Sequence, residues 1–238
     1  MKNQIIKMAL VFVFGIMTVS QVAAQSATEN SVNKNDVTTK LQIKKDEFRI
    51  RINNSAKSNS AGKVTPENRF SFNLGSSLTW TMFYASFVGE DIKMEDKAIV
   101  NLVFIIDALE GLPEAEALQK TLKNIVRYTC KSQQCAQEIQ AVIKSLEKQM
   151  QGESQWFFNT GLTVSNLYIA NAIEDVASVK SSLTQIQALM DKAPKTIPIE
   201  LISQMKTVTE YVKKEKLTGN DYVAISSNLD NLIGVIKA

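Results

Sequence analysis

Hydrophobic and polar positions change their rhythm twice along this chain. An apolar run from Met8 to Val19 comes first, a polar stretch with a few alternating apolar residues follows, and from Phe70 onward apolar residues recur at helical spacing. In that third region Leu78, Met82, Ala85 and Val88 share one helical face, and Ile99, Val103, Ile106 and Leu109 share another. Further helices are predicted at about 115–129, 135–151, 155–173, 177–191, 199–215 and 219–236, eight in all. Only Pro113, Pro194 and Pro198 break the region. The fold class is all-α.

The helical pattern also repeats, which changes how the body is divided. Phe72-Asn73-Leu74-Gly75 recurs as Phe158-Asn159-Thr160-Gly161, and at the same offset of 86 Leu78 meets Val164, Thr79 meets Ser165, Phe83 meets Ile169 and Phe87 meets Ile173. Val103, Ile106 and Leu109 match Leu183, Ile186 and Leu189, and Pro113 matches Pro194. Leu118, Leu122, Ile125 and Tyr128 match Leu201, Met205, Val208 and Tyr211; Ile139, Ile143 and Leu146 match Ile225, Leu229 and Leu232. Any two amphipathic helices can be slid into agreement. The shared Phe-Asn-x-Gly, proline and tyrosine, in one order, favour duplication. The expectation is two tandem four-helix units, about 72–151 and 158–238, each made of two helical hairpins, packed as a pseudo-symmetric bundle or short helical array.

Residues 1–24 read as a signal peptide: Lys2 and Lys7 precede the apolar run, and Val22-Ala23-Ala24 offers a cleavage site. The run is about 12 residues, short of the roughly 20 that span a bilayer, which weighs against a retained anchor. No cysteine lies near the cleavage point to carry a lipid. The expectation is an exported chain, periplasmic or secreted, with no membrane span after cleavage. Residues 25–69 form a polar flexible arm, too poor in apolar residues to offset its ordering entropy. Within it Leu41, Ile43, Phe48, Ile50 and Ile52 alternate with polar neighbours, as a short strand or an extended, unpaired segment would. The body spans 70–238.

Charge removes one partner class. The chain carries 27 basic and 24 acidic residues, and losing Lys2 and Lys7 with the leader brings the balance near neutral, against a nucleic-acid partner. The chain has no histidine, which excludes Ser-His-Asp and Cys-His nucleophile systems and histidine-ligated zinc. Glycine-rich phosphate loops are missing too, so no catalytic residue, metal or cofactor is assigned. What remains for catalysis is a carboxylate pair: Glu90-Asp91, Asp107 with Glu110, or Glu174-Asp175. A paired acid site or a calcium loop competes there with helix capping by Asp91 and Asp175, and capping is the preferred reading. Asp107 is placed at the edge of a buried face.

Three groups are candidate sites. Asn73 and Asn159, kept by the repeat, are either ligand-facing amides or turn-forming residues beside glycines that let two helices approach, the second being preferred. Trp80, Tyr84, Trp156 and Tyr168 belong to an aromatic group on the first helix of each unit, which reads as core or, alternatively, as a cleft for an apolar ligand. Cys130 and Cys135 are the only cysteines, and on one continuous helix their Cα atoms would lie roughly 8 Å apart, too far to bond. A disulfide therefore requires a helix break between them, and free thiols or a metal pair are the alternatives. Together these features point to an exported, non-enzymatic helical protein that binds another protein. A carrier of a small apolar ligand is the alternative, and a carboxylate-based hydrolase trails both.

Overall fold

The computed structural model describes residues 64–85, 103, 105–126 and 132–237. The leader and arm over 1–63, Glu90-Asp91 and Cys130 lie outside the described residues, as does the side chain of Tyr84. Seven α-helices are described: α1 (Pro66–Ala85), α2 (Pro113–Val126), α3 (Ser132–Gln149), α4 (Gly152–Ala172), α5 (Val176–Asp191), α6 (Ile199–Thr209) and α7 (Gly219–Lys237). A 3-10 turn, Glu210–Lys213, extends α6, and residues 105–108 are helical ahead of α2. All regular structure among the described residues is helical, and no described helix is long and apolar enough to cross a membrane.

By packing, the described residues form two units, Ser77–Gln149 in one and 64–76 with 150–237 in the other. The division differs from the sequence repeat by half a helix, because the boundary falls inside α1.

In the first unit α2 and α3 form an antiparallel hairpin whose facing sides carry the periodic apolar residues. Leu118 on α2 and Cys135, Ile139, Ile143 and Leu146 on α3 are all within 2 % of full burial. Side chains tie both ends: Thr121 donates to Glu138 at 2.8 Å, and Ser145 and Gln149 donate to one carboxylate oxygen of Glu114 at 2.5 and 2.6 Å.

The second unit is built around α4, which is buried on every side from Trp156 to Ala172 except at Asn159. A helix with no solvated face belongs at the centre of a core. α5 and α7 pack on it with single faces, and α6 packs in turn on α5 and α7. Their inward residues Val179, Leu183 and Ile186, Leu201, Met205 and Val208, and Ile225, Leu229, Leu232 and Ile236 are all fully buried. α5 runs back along α4, so that Trp156 at the start of α4 donates its indole N–H to Leu189 O near the end of α5, at 2.9 Å. α7 is antiparallel to α4 as well, with Asn171 near the end of α4 donating to Tyr222 O at the start of α7, at 2.9 Å.

Local signals set the helix ends. Asp175 accepts from Ala177 N and Ser178 N at the start of α5, the cap expected of it. Thr218 N and its hydroxyl both donate to Asp221 at 2.8 Å, the carboxylate half of a capping box at the start of α7. α1 begins four residues before the helical region expected from Phe70. Thr65 caps it by accepting from Asn68 N at 3.2 Å, and Pro66 takes the first helical position, where its missing N–H costs nothing.

Between α4 and α5 the chain turns through a left-handed residue. Asp175 N bonds Ala170 O and Glu174 N bonds Asn171 O, the paired bonds of a Schellman closure, with Glu174 at φ +58 where glycine is usual. A side chain there is strained by about 1 kcal/mol or somewhat more. Glu174→Gly should therefore stabilise the protein by about 0.5–1 kcal/mol in urea unfolding, net of the entropy glycine adds to the unfolded chain.

Candidate functional site

The most distinctive packing in the second unit is the place where α1 and α4 meet. They run side by side in the same direction: Asn68 near the start of α1 donates to Glu153 near the start of α4 at 2.7 Å, and further along Ser165 donates to Ser76 at 2.7 Å. Between these ties the backbones touch. A Cβ on Gly75 would overlap the backbone carbonyl oxygen of Phe158 and stand 3.1 Å from Leu162 N. A Cβ on Gly161 would overlap the carbonyl oxygen of Phe72 and stand 3.0 Å from Ser76 N. Each of these contacts has its counterpart 86 residues away. Glycine is required at both places because the opposing atoms are backbone and cannot swing aside.

Asn73 and Asn159 flank this crossing, each next to a phenylalanine whose carbonyl enters it. Neither sits in a turn. Both lie in helix interiors, half-buried, because the helices begin well before them, at Pro66 and Gly152. The Oδ1 of Asn159 is buried and accepts no hydrogen bond. The adjacent glycines do serve a close helix approach, the other part of that expectation.

The aromatic candidates whose side chains are described are core residues. Trp80 and Trp156 are 4 % and 5 % exposed and Tyr168 is 4 % exposed. Trp80 meets Phe83 edge-on at 6.3 Å, and Trp156 meets Phe157 edge-on at 5.0 Å. Trp80 belongs to the first unit, Trp156 and Tyr168 to the second. Cys135 is fully buried in the first turn of α3 and is not a free thiol. Cys130 and the residues on either side of it lie outside the described residues.

Of the acids singled out from sequence, Asp107 is exposed and Asp175 is engaged as a cap. Among the described residues no group of three or more acids or cysteines could hold a metal ion. The carboxylates with displaced acidities are others. Hydrogen bonds from Thr196 and Asn68 keep the Glu153 carboxyl below its usual range, and the hydroxyl of Ser145 does the same for Glu114. The Lys214 ammonium, 2.5 Å from Asp221, together with the Thr218 donors, holds that carboxyl at about 2. Each of these groups fastens one helix end to a neighbour. Burial raises the Tyr222 phenol and pushes the Lys237 amine, 6 % exposed, down to about 7. Sequence spacing gave no signal for Asn68, Ser76, Glu153 or Ser165, whose partners lie more than 80 residues away.

No protein-family model, curated protein or solved structure matches the chain.

Two outcomes test this geometry. Gly161→Ala should lower stability by about 1–3 kcal/mol, since the added methyl must push two backbones apart. Lys237 loses its proton more readily in the fold than in the unfolded chain, so the unfolded state binds more protons between about pH 7 and 10.5 and stability should rise across that window. Lys237→Met should raise the melting temperature at pH 7 and flatten the rise.

Proposed function

We propose that this chain is an exported, non-enzymatic helical protein that acts by binding another protein. It carries a cleavable leader over residues 1–24, a polar arm to about residue 69, and two tandem four-helix units related by duplication. The observation that supports this reading best is how the candidate residues are engaged. Trp80, Trp156 and Tyr168 are at most 5 % exposed, as core aromatics are, whereas a carrier would need them to line a cleft. Asp175, the acid best placed for a hydrolytic pair in the second unit, has its carboxylate occupied by Ala177 N, Ser178 N and the Ser178 hydroxyl. Glu114, Glu153 and Asp221 are likewise bonded to neighbouring side chains. What this leaves for function is the outer surface, where Ile199 and Val223 stand 88 % and 70 % exposed. Isolated exposed apolar residues are common, so they mark no single patch.

Export also implies an oxidising compartment and a Cys130–Cys135 disulfide, which the bonded state of Cys135 supports. The bond would fasten the corner between α2 and α3. A loop this short contributes on the order of 2–3 kcal/mol at most.

Native mass spectrometry of the full chain, expressed with its own leader and recovered from the exported fraction, tests the reading. The expected mass is the bare chain from Gln25 with both cysteines refractory to alkylation before reduction. A retained lipid-sized mass would turn the reading to the carrier. An intact leader would remove export, and two added alkyl groups would remove the disulfide.

A further inference from the structure

The crossing of α1 and α4 has a property that neither helix has alone. Each contributes a knob, the backbone carbonyl of a phenylalanine, and a hole, the missing side chain of a glycine three residues later. Phe72 O enters the hole at Gly161, and Phe158 O enters the hole at Gly75. The remaining close approaches, Gly75 to Leu162 N and Gly161 to Ser76 N, obey the same shift of 86 residues. Knob and hole sit on one face at one spacing, and the helices run in the same direction. Two identical faces therefore satisfy each other about a two-fold axis lying between the helices. This is the geometry of a symmetric, isologous dimer contact.

We propose that the Phe-Asn-x-Gly face is self-complementary, so that when one of its two copies in the chain is prevented from docking, the other pairs with the same face of a second copy of this protein. The inference rests on the internal repeat and not on export or on any binding partner. It also ranks the two pairings. Within the chain Ser76 and Ser165 share a hydrogen bond at 2.7 Å. Shifted by 86 residues onto α1, Ser165 becomes Thr79, so a pairing of α1 with α1 keeps two hydroxyls opposite each other. Shifted onto α4, Ser76 becomes Leu162, and the hydroxyl pair is lost. The two-fold axis repeats that hydroxyl pair, so freed α1 faces should associate more tightly than freed α4 faces, by about thirtyfold for two hydrogen bonds.

The test uses the full chain and sedimentation velocity. Gly161→Leu disables the α4 face and frees α1; Gly75→Leu disables the α1 face and frees α4. Each single variant should double the assembly mass relative to wild type, with Gly161→Leu the tighter. The double variant should return to the wild-type state, having no intact face. Single variants that keep the wild-type mass, or a double variant that associates as the singles do, would overturn the proposal. If leucine prevents folding, Gly75→Ala and Gly161→Ala decide: doubling in either supports the proposal, and no doubling in both overturns it. Equal drops in melting temperature without doubling would leave the repeat standing and remove only the self-pairing.

Discussion

Two glycines facing two carbonyl groups set the terms for the second unit. Helices normally pack with axes about 8–10 Å apart because side chains intervene. At Gly75 and Gly161 nothing intervenes, and the α1 and α4 backbones come into direct contact. The neighbouring phenylalanines, Phe72 and Phe158, are then fully enclosed. Beside this contact small hydroxyl residues meet: Ser76 and Ser165 are both buried and share a hydrogen bond.

Buried hydroxyls and amides need partners, and these helices supply many of them from their own turns. Ser71 donates to Glu67 O at 3.0 Å, Thr81 to Ser77 O at 2.8 Å and Thr160 to Trp156 O at 2.8 Å, each one turn back along its own helix. Ser165 and Asn171 instead donate across to neighbouring helices, Asn171 to both Tyr222 O and the Ser226 hydroxyl. Such ties give a polar interior directional preferences that apolar packing lacks, and they fix register where α1 meets α4 and where α4 meets α7. The ends are fixed by charge: Asn68 with Glu153, and Lys214 with Asp221.

The readability of the sequence followed the number of solvated faces on each helix. α3 was plain from spacing, because Cys135, Ile139, Ile143 and Leu146 are buried while Lys144 and Lys148 stay in water. α6 and α7 were plain for the same reason. The start of α1 was harder, although Thr65-Pro66 is a strong opening signal, because Asn68, Ser71 and Ser76 are polar yet buried and make the first turns look like a continuation of the arm. Asn73 and Asn159 were misplaced in turns by the same ambiguity. An asparagine two residues before a glycine suggests a bend, and only the depth of the two helices on either side shows that the glycine is there for a neighbour's backbone.

By itself the sequence determined the helical class, most helix boundaries, the cap at Asp175 and the paired recurrence of Phe-Asn-x-Gly. Those are local properties: each follows from residues within about two turns of one another, or from matching one stretch of text to another. The tertiary structure alone decided that the two motifs meet, that the first half of α1 packs with the second unit, and that Ser76, Glu153 and Ser165 matter. Their partners lie 85 to 89 residues distant. Periodicity reports which face of a helix is buried, and it carries no information about which helix lies against that face.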